Sequence, residues 1–298
     1  MLTSFFKTSK PIHYIITFLM VTIMVVYLII SDADMGWNFI WIPFVILVSI
    51  AVFQFITLKN ELTQGNSYSL WIYSCLIIIG ILSTSNVVTF IAYFFCLLAL
   101  RRLLSMRTER GLVKKIFDAS FWIAVATLFY SWSSLFFIVI FLSIVIYAFK
   151  NLRYWTIPFI AISCVSLLVF TLDQLLNTNY LYNVIDGYNH SIDFQSFQLS
   201  LPFLISSILT LIGFLCSLAI LFGFPSISLS ARSRFSVLGF AGVCGSIFMI
   251  INGVAIFTIP IIAIFIARII QETEDRNVKE SLLWLPFVAM LVLFFLKL

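Results

Sequence analysis

Asp32 and Asp34 are two residues apart, directly after the first apolar run of this 298-residue chain. Such a pair could hold a divalent cation and the phosphates of a lipid-linked donor, or supply a base; a short solvated loop also carries acids of this kind. A second group comprises Asp173, Asp186, His190 and Asp193 in a longer polar stretch. Asp186 and His190 are four apart and Asp193 follows three later. A helix through them would place one imidazole and two carboxylates on one face, toward a metal or a sugar, although a solvated loop would have the same composition. Tyr182, with Tyr180 and Tyr188, suggests that this stretch lies along a membrane surface. A third group runs from Arg101 to Lys115, with Arg101, Arg102, Arg107, Arg110, Lys114 and Lys115 set against Glu109. Clustered cations could take an anionic headgroup, a nucleotide or a phosphate, and they also set membrane orientation. Asp118, just beyond, is expected to pair with Lys114 or Lys115.

Other chemistries are excluded. Only His13 and His190 occur, so no site needing three or four histidines can form within one chain. The five cysteines all fall inside apolar runs without a CxxC pair, which argues against zinc and against a disulfide framework. No P-loop, GxSxG elbow or dinucleotide fingerprint is present, and no metal or cofactor is expected.

The elements that must position these residues are apolar helices. Hydrophobic residues make up 62% of the chain and charged residues 10%, against roughly 45–50% and 25% in soluble domains. A span needs about 20 apolar residues, so the chain is filled by one all-α, polytopic transmembrane domain over residues 1–298. Eleven spans are expected: Ile12 to Ile30, Trp37 to Leu58, Tyr68 to Leu82, Val87 to Leu104, Phe117 to Tyr130, Ser133 to Phe149, Trp155 to Leu172, Leu201 to Phe224, Phe235 to Ile251, Val254 to Ile270 and Leu282 to Leu296. The first reads as an uncleaved helix, since Ser31-Asp32-Ala33-Asp34 offers no small-x-small cleavage site.

Sixteen of the seventeen Lys and Arg residues fall in or beside every second gap, and only Lys297 departs from this. Cytoplasmic loops carry the Lys and Arg excess, so the N-terminus is expected in the cytoplasm and the C-terminus on the far side. Merging the runs on either side of Tyr130-Ser131-Trp132-Ser133-Ser134 would invert this pattern downstream; two helices are therefore expected there. The net charge of +5 is loop charge suited to anionic lipid headgroups, not to nucleic acid.

The tryptophans fit interfacial anchors, Trp71 among them. Pro11, Pro43, Pro158, Pro202 and Pro286 mark helix starts or first turns, where a missing N–H costs little, whereas Pro260 predicts a kink within the tenth span. Gly239, Ala241, Gly242, Gly245 and Ser246 form a small-residue surface suited to packing within the chain. Gln54 is the clearest polar side chain at depth. No span has an Asp, Glu, Lys or His near its middle, which argues against an ion-coupled transporter.

Thr3-Ser4-Phe5-Phe6, Lys10-Pro11-Ile12, Leu100-Arg101-Arg102, Ser105-Met106-Arg107, Lys115-Ile116-Phe117-Asp118-Ala119-Ser120-Phe121-Trp122 and Phe129-Tyr130-Ser131-Trp132 together resemble a family of uncharacterised multi-pass inner-membrane proteins of flavobacteria and related Bacteroidota. The resemblance covers mainly the first 160 residues and implies a bacterial cytoplasmic-membrane location. A carotenoid-cleaving oxygenase label sometimes attached to that family requires four histidines, which this chain does not have. Asn86 to Phe149 is more loosely similar to polytopic glycosyltransferases that use lipid-linked sugars. Those enzymes place a catalytic acid in a long first outer loop, a role that would fall here to Asp32 or Asp34 in a loop of about six residues.

The expected function is a non-catalytic envelope protein binding a lipid-like or lipid-linked molecule, or a membrane partner, through Asp173, Tyr182, Asp186, His190 and Asp193 or through Arg101, Arg102 and Arg107. The alternatives are a glycosyltransferase with a polyprenyl-phosphate donor and a carrier of apolar or lipid cargo.

Overall fold

A computed structural model of the chain describes residues 2–31, 41–84, 87–149, 151–188, 200–223 and 229–297. The described residues contain helices and no strand. In order they are α1 (Leu2–Phe6), α2 (Pro11–Ser31), α3 (Trp41–Lys59), α4 (Tyr68–Ser83), α5 (Val87–Leu104), α6 (Leu112–Phe129), α7 (Phe136–Ala148), α8 (Arg153–Leu176), α9 (Tyr180–Asp186), α10 (Leu201–Gly223), α11 (Leu229–Asn252), α12 (Ile259–Glu272) and α13 (Arg276–Lys297). Eight of them, α2, α3, α5, α7 with the 3-10 turn before it, α8, α10, α11 and α13, are long and apolar enough to cross a membrane. The architecture is that of a multi-pass membrane protein. The remaining larger helices are α4, which is apolar but has 16 residues, and α6 and α12, which carry charge.

α4 is the axis of the bundle. Every residue from Tyr68 to Leu82 is buried, with α2, α3, α10, α12 and α13 packed around it. Such a helix has no lipid-facing side, so its apolar character all round reflects protein neighbours. α8 shows the other extreme, exposing Phe159, Leu167, Leu168, Phe170, Leu172, Leu175 and Leu176.

Several polar groups at depth pair across helices. Gln54 donates to the Tyr14 hydroxyl at 3.3 Å and accepts from Thr57 at 3.4 Å. The hydroxyls of Tyr73 and Tyr93 meet at 2.7 Å, with Phe53 stacked on Tyr73 at 4.0 Å. Interhelical bonds of this kind average only about 0.6 kcal/mol in membranes, so close packing carries most of the association. Small residues supply it: a β-carbon at Gly239 would meet Leu221 of α10, one at Gly242 would overlap Ser217, and one at Gly245 would meet the backbone of Phe257. The small surface of α11 is thus filled from within the chain.

The hairpin at Tyr130 forms as expected. α6 ends at Phe129, Tyr130 turns extended at φ −141°, and Ser131–Leu135 makes a 3-10 turn into α7. Leu112 at the start of α6 lines one groove with Val145 to Phe149 at the end of α7, so the two helices run antiparallel.

Three expectations change. Pro260 does not kink a helix: Ile256–Thr258 forms a separate buried 3-10 turn, and Pro260 then stands in the first turn of α12, where its missing N–H breaks no bond. Pro158 and Pro286 lie inside α8 and α13 because both helices begin earlier than expected, at Arg153 and Arg276. Trp71 is no interfacial anchor; it is buried between Phe6 and Phe287, and its indole N–H donates to the Leu283 carbonyl at 3.2 Å.

Candidate functional site

The end of α3 organises the basic pole. A helix leaves its last four carbonyls without intrahelical donors, and here each has a partner. Ile56 accepts from the Asn60 backbone and side chain, Thr57 from the Leu62 N–H at 3.0 Å, Leu58 from the Glu61 N–H at 3.2 Å, and Lys59 from Arg107 at 3.5 Å. The Thr57 and Leu58 bonds define a Schellman turn with Glu61 at its left-handed position, φ 51°. Leu62, fully buried, is the apolar residue such a turn tucks beneath the helix.

Three arginines from other parts of the chain converge on this turn. Arg107, on the 3-10 turn Ser105–Thr108, and Arg234, on α11, both reach Glu61 Oε2, at 3.3 and 3.5 Å. Arg234 also donates to the Asn60 carbonyl. Arg268 of α12 donates to the Leu62 carbonyl at 3.0 Å, pairs with Glu272 at 3.7 Å and lies over the Phe235 ring at 4.8 Å. Cations at the carbonyl end of a helix complement its dipole. The Arg107 hydrogen bond, reinforced by the charges of Arg107 and Arg234, holds the Glu61 carboxyl below its ordinary range.

Three more cations of the segment, Arg101, Arg102 and Lys115, are engaged nearby, as is Lys59. Arg101 and Lys59 lie over the Phe55 ring at 4.8 and 5.1 Å. Arg102 pairs with Asp118 at 2.8 Å. That corrects the expected Lys114 or Lys115 partner: Lys115 instead donates to the Ser105 carbonyl and the Thr108 hydroxyl, both at 2.6 Å. Burial, with Arg102 and Lys59 close by, lowers the Lys115 ammonium.

Beside this cluster a groove of about 410 Å³ opens between α6, α7 and α8. Its wall is apolar, with Leu112, Val145, Ile146 and Phe149, while Asn151 and Tyr154 add polar groups and Tyr147 lines it with its hydroxyl buried. Tyr147 links the groove to the arginines, since its hydroxyl faces Ser233 within electrostatic reach of Arg234 and Arg107.

At the opposite pole Asp173 has a structural task. Its Oδ1 accepts from the Thr178 hydroxyl at 2.6 Å and the Tyr180 N–H at 3.0 Å, and its Oδ2 accepts from the Leu181 N–H at 3.0 Å. It therefore caps the start of α9. α9 is fastened to the end of α6 by Tyr180 on the Leu128 carbonyl, Tyr188 on the Ser131 carbonyl and Ser131 on the Val184 carbonyl. Tyr182 and Asp186 are exposed on α9. That helix ends at Asp186 and a turn follows, so it does not continue toward His190. His190 and Asp193 lie outside the described residues, as do Asp32 and Asp34.

Sequence reasoning missed Glu61, Arg234 and Tyr147 as members of one cluster. A pattern was available for Arg234: it falls on the face of α11 that also carries Ala231, Phe235, Leu238 and Ala241, all buried. His13, packed against Phe5 and Phe6 and bonded to Ser67 at 3.2 Å, was also missed as a tie between the N-terminal segment and the α3–α4 connection. Among the described residues, no three His, Cys, Asp or Glu side chains gather as a metal would require. Comparison with protein-family models, curated proteins and solved structures returns no match to this chain.

Proposed function

We propose that this chain is a non-catalytic multi-pass protein of a bacterial inner membrane, one polytopic domain of eleven crossings, N-terminus cytoplasmic and C-terminus periplasmic. In this reading it binds a lipid-like or lipid-linked molecule at its cytoplasmic face. The crossing count is supported by the helices α2 to α8 and α10 to α13, one for each expected apolar run. The orientation is supported by the cations that meet around the α3–α4 turn, because Lys and Arg mark the cytoplasmic side.

One observation carries the binding reading: the groove of about 410 Å³ joins an apolar wall to the polar side chains of Asn151 and Tyr154, and Tyr147 in its lining is within electrostatic reach of the arginine cluster. An amphiphile has the same two-part chemistry. Its chain would lie along Leu112, Val145 and Phe149, and its anionic headgroup would face the guanidinium groups.

The test is mass spectrometry of lipids retained when the protein is extracted directly into native nanodiscs, compared with Ala148→Phe, which fills the groove. One lipid species should be enriched in the wild-type protein over its abundance in the membrane, and the variant should lose at least about fivefold of that enrichment at an unchanged thermal midpoint. A wild-type lipid profile equal to bulk membrane would overturn the reading. A stoichiometric protein partner with bulk lipid only would make the chain an accessory subunit instead.

A further inference from the structure

Glu61 is an odd residue for a purely structural ion pair. Its side chain is 71% exposed while that of the Arg234 it faces is 6% exposed. Both guanidinium groups converge on the same oxygen, Oε2. Its backbone is left-handed at φ 51°, a position where glycine is usual and a β-carbon is unfavourable. A non-glycine residue at such a position is a reason to ask what its side chain does.

Arg234 is short of acceptors. Its Nε is buried with no hydrogen-bond partner, a state that forfeits the hydration of a charged donor. Arg107 and Arg234 together present ten N–H donors, five from each guanidinium, and the shared Glu61 oxygen with the Lys59 and Asn60 carbonyls leaves much of that capacity open. A phosphomonoester offers three strong acceptor oxygens and about −1.5 to −2 charge, against a single charge on Glu61.

We propose that Arg107 and Arg234 form a phosphate-binding site in which Glu61 is a tethered carboxylate that a phosphate-bearing ligand displaces into solvent. This rests on the lipid-binding reading and deepens it by naming the headgroup chemistry. Tyr147 provides continuity, because this residue of the groove lining lies within electrostatic reach of the two arginines. The exposure of Glu61 makes displacement feasible: the carboxylate regains full hydration, and its loss relieves the competition for both guanidinium groups.

The test uses the full chain in phosphatidylcholine nanodiscs, titrated with inorganic phosphate, and a parallel series with phosphatidic acid in the disc. The thermal midpoint is the readout. In Glu61→Gln the half-maximal concentration should fall about tenfold, because the internal competitor is weakened, and in Arg107→Ala it should rise at least about tenfold. Both positions are solvent-accessible, so neither variant depends on replacing the buried Arg234. A response to phosphatidic acid alone supports a lipid headgroup as the source, and a response to inorganic phosphate as well supports soluble phosphate compounds too. No response in either series, an unchanged Glu61→Gln, or full binding by Arg107→Ala overturns the proposal. If lipid enrichment in the groove persists in that case, only the phosphate assignment falls and the lipid-binding reading stands.

Discussion

Asp173 and Glu61 are carboxylates at opposite poles of one bundle, each next to a helix end that finishes in a left-handed residue, Asn177 after α8 and Glu61 after α3. Asp173 uses both oxygens on three donors from the next eight residues, at 2.6 to 3.0 Å, and is 8% exposed. Glu61 uses one oxygen on two guanidinium groups 46 and 173 residues away, at 3.3 and 3.5 Å, and stands mostly in solvent. The local set is saturated and closes a turn. The long-range set is unsaturated on its cationic side, and so it can exchange partners. Acids at helix ends are therefore not equivalent: donor count and exposure separate a cap from a replaceable ligand.

The comparison can be broken most strongly at Asp173. Asp173→Ala should leave the Tyr180 and Leu181 amides and the Thr178 hydroxyl without an acceptor. Amide exchange across α9 should then quicken at least about tenfold while the bundle core remains protected. An α9 that stays protected in the variant would mean that the tyrosine contacts alone hold it.

A smaller effect is expected at Glu61. Glu61→Gly removes two weak ion pairs at the surface but relieves the left-handed backbone, so the thermal midpoint should stay within about 3 °C of the wild type or rise. A larger fall would make Glu61 a structural clamp of the same kind as Asp173.

The smallest effect is in pH. The Glu61 carboxyl is held below its ordinary value of 4.5 by Arg107 and Arg234. Its contribution is therefore present above that value and is lost as pH falls through the lowered one. The difference in thermal midpoint between wild type and Glu61→Gln should be present near pH 7 and shrink as the pH is taken below the ordinary value of 4.5. A difference that is constant with pH would show that the carboxylate charge does no stabilising work there.

Much of the helix order was legible in the residues. Each expected apolar run contains a helix, and the paired runs around Tyr130 separate as the alternation of Lys and Arg requires. Boundaries failed where charged residues extend a helix beyond its apolar stretch, as at Arg153 and Arg276, because helical hydrogen bonding continues past the point where hydropathy falls. Arg101, Arg102 and Arg107 were legible as a cluster, but their separate engagements with Phe55, Asp118 and Glu61 were not. Arg234 read as a loop cation because it sits among Ser and Arg residues at the start of an apolar run; only its register on α11 turns it inward.

What the amino-acid sequence determined by itself is the helical class, the order of the apolar segments and the side on which positive charge accumulates. These follow from local hydropathy and loop charge, which need no partner to be read. The tertiary structure alone decided that α4 is the buried axis while α8 is largely exposed, and that Glu61 lies between two arginines. Lipid tails are as apolar as a protein core, so hydropathy cannot tell a helix surrounded by lipid from one surrounded by helices, and pairing across 173 residues depends on how the helices pack.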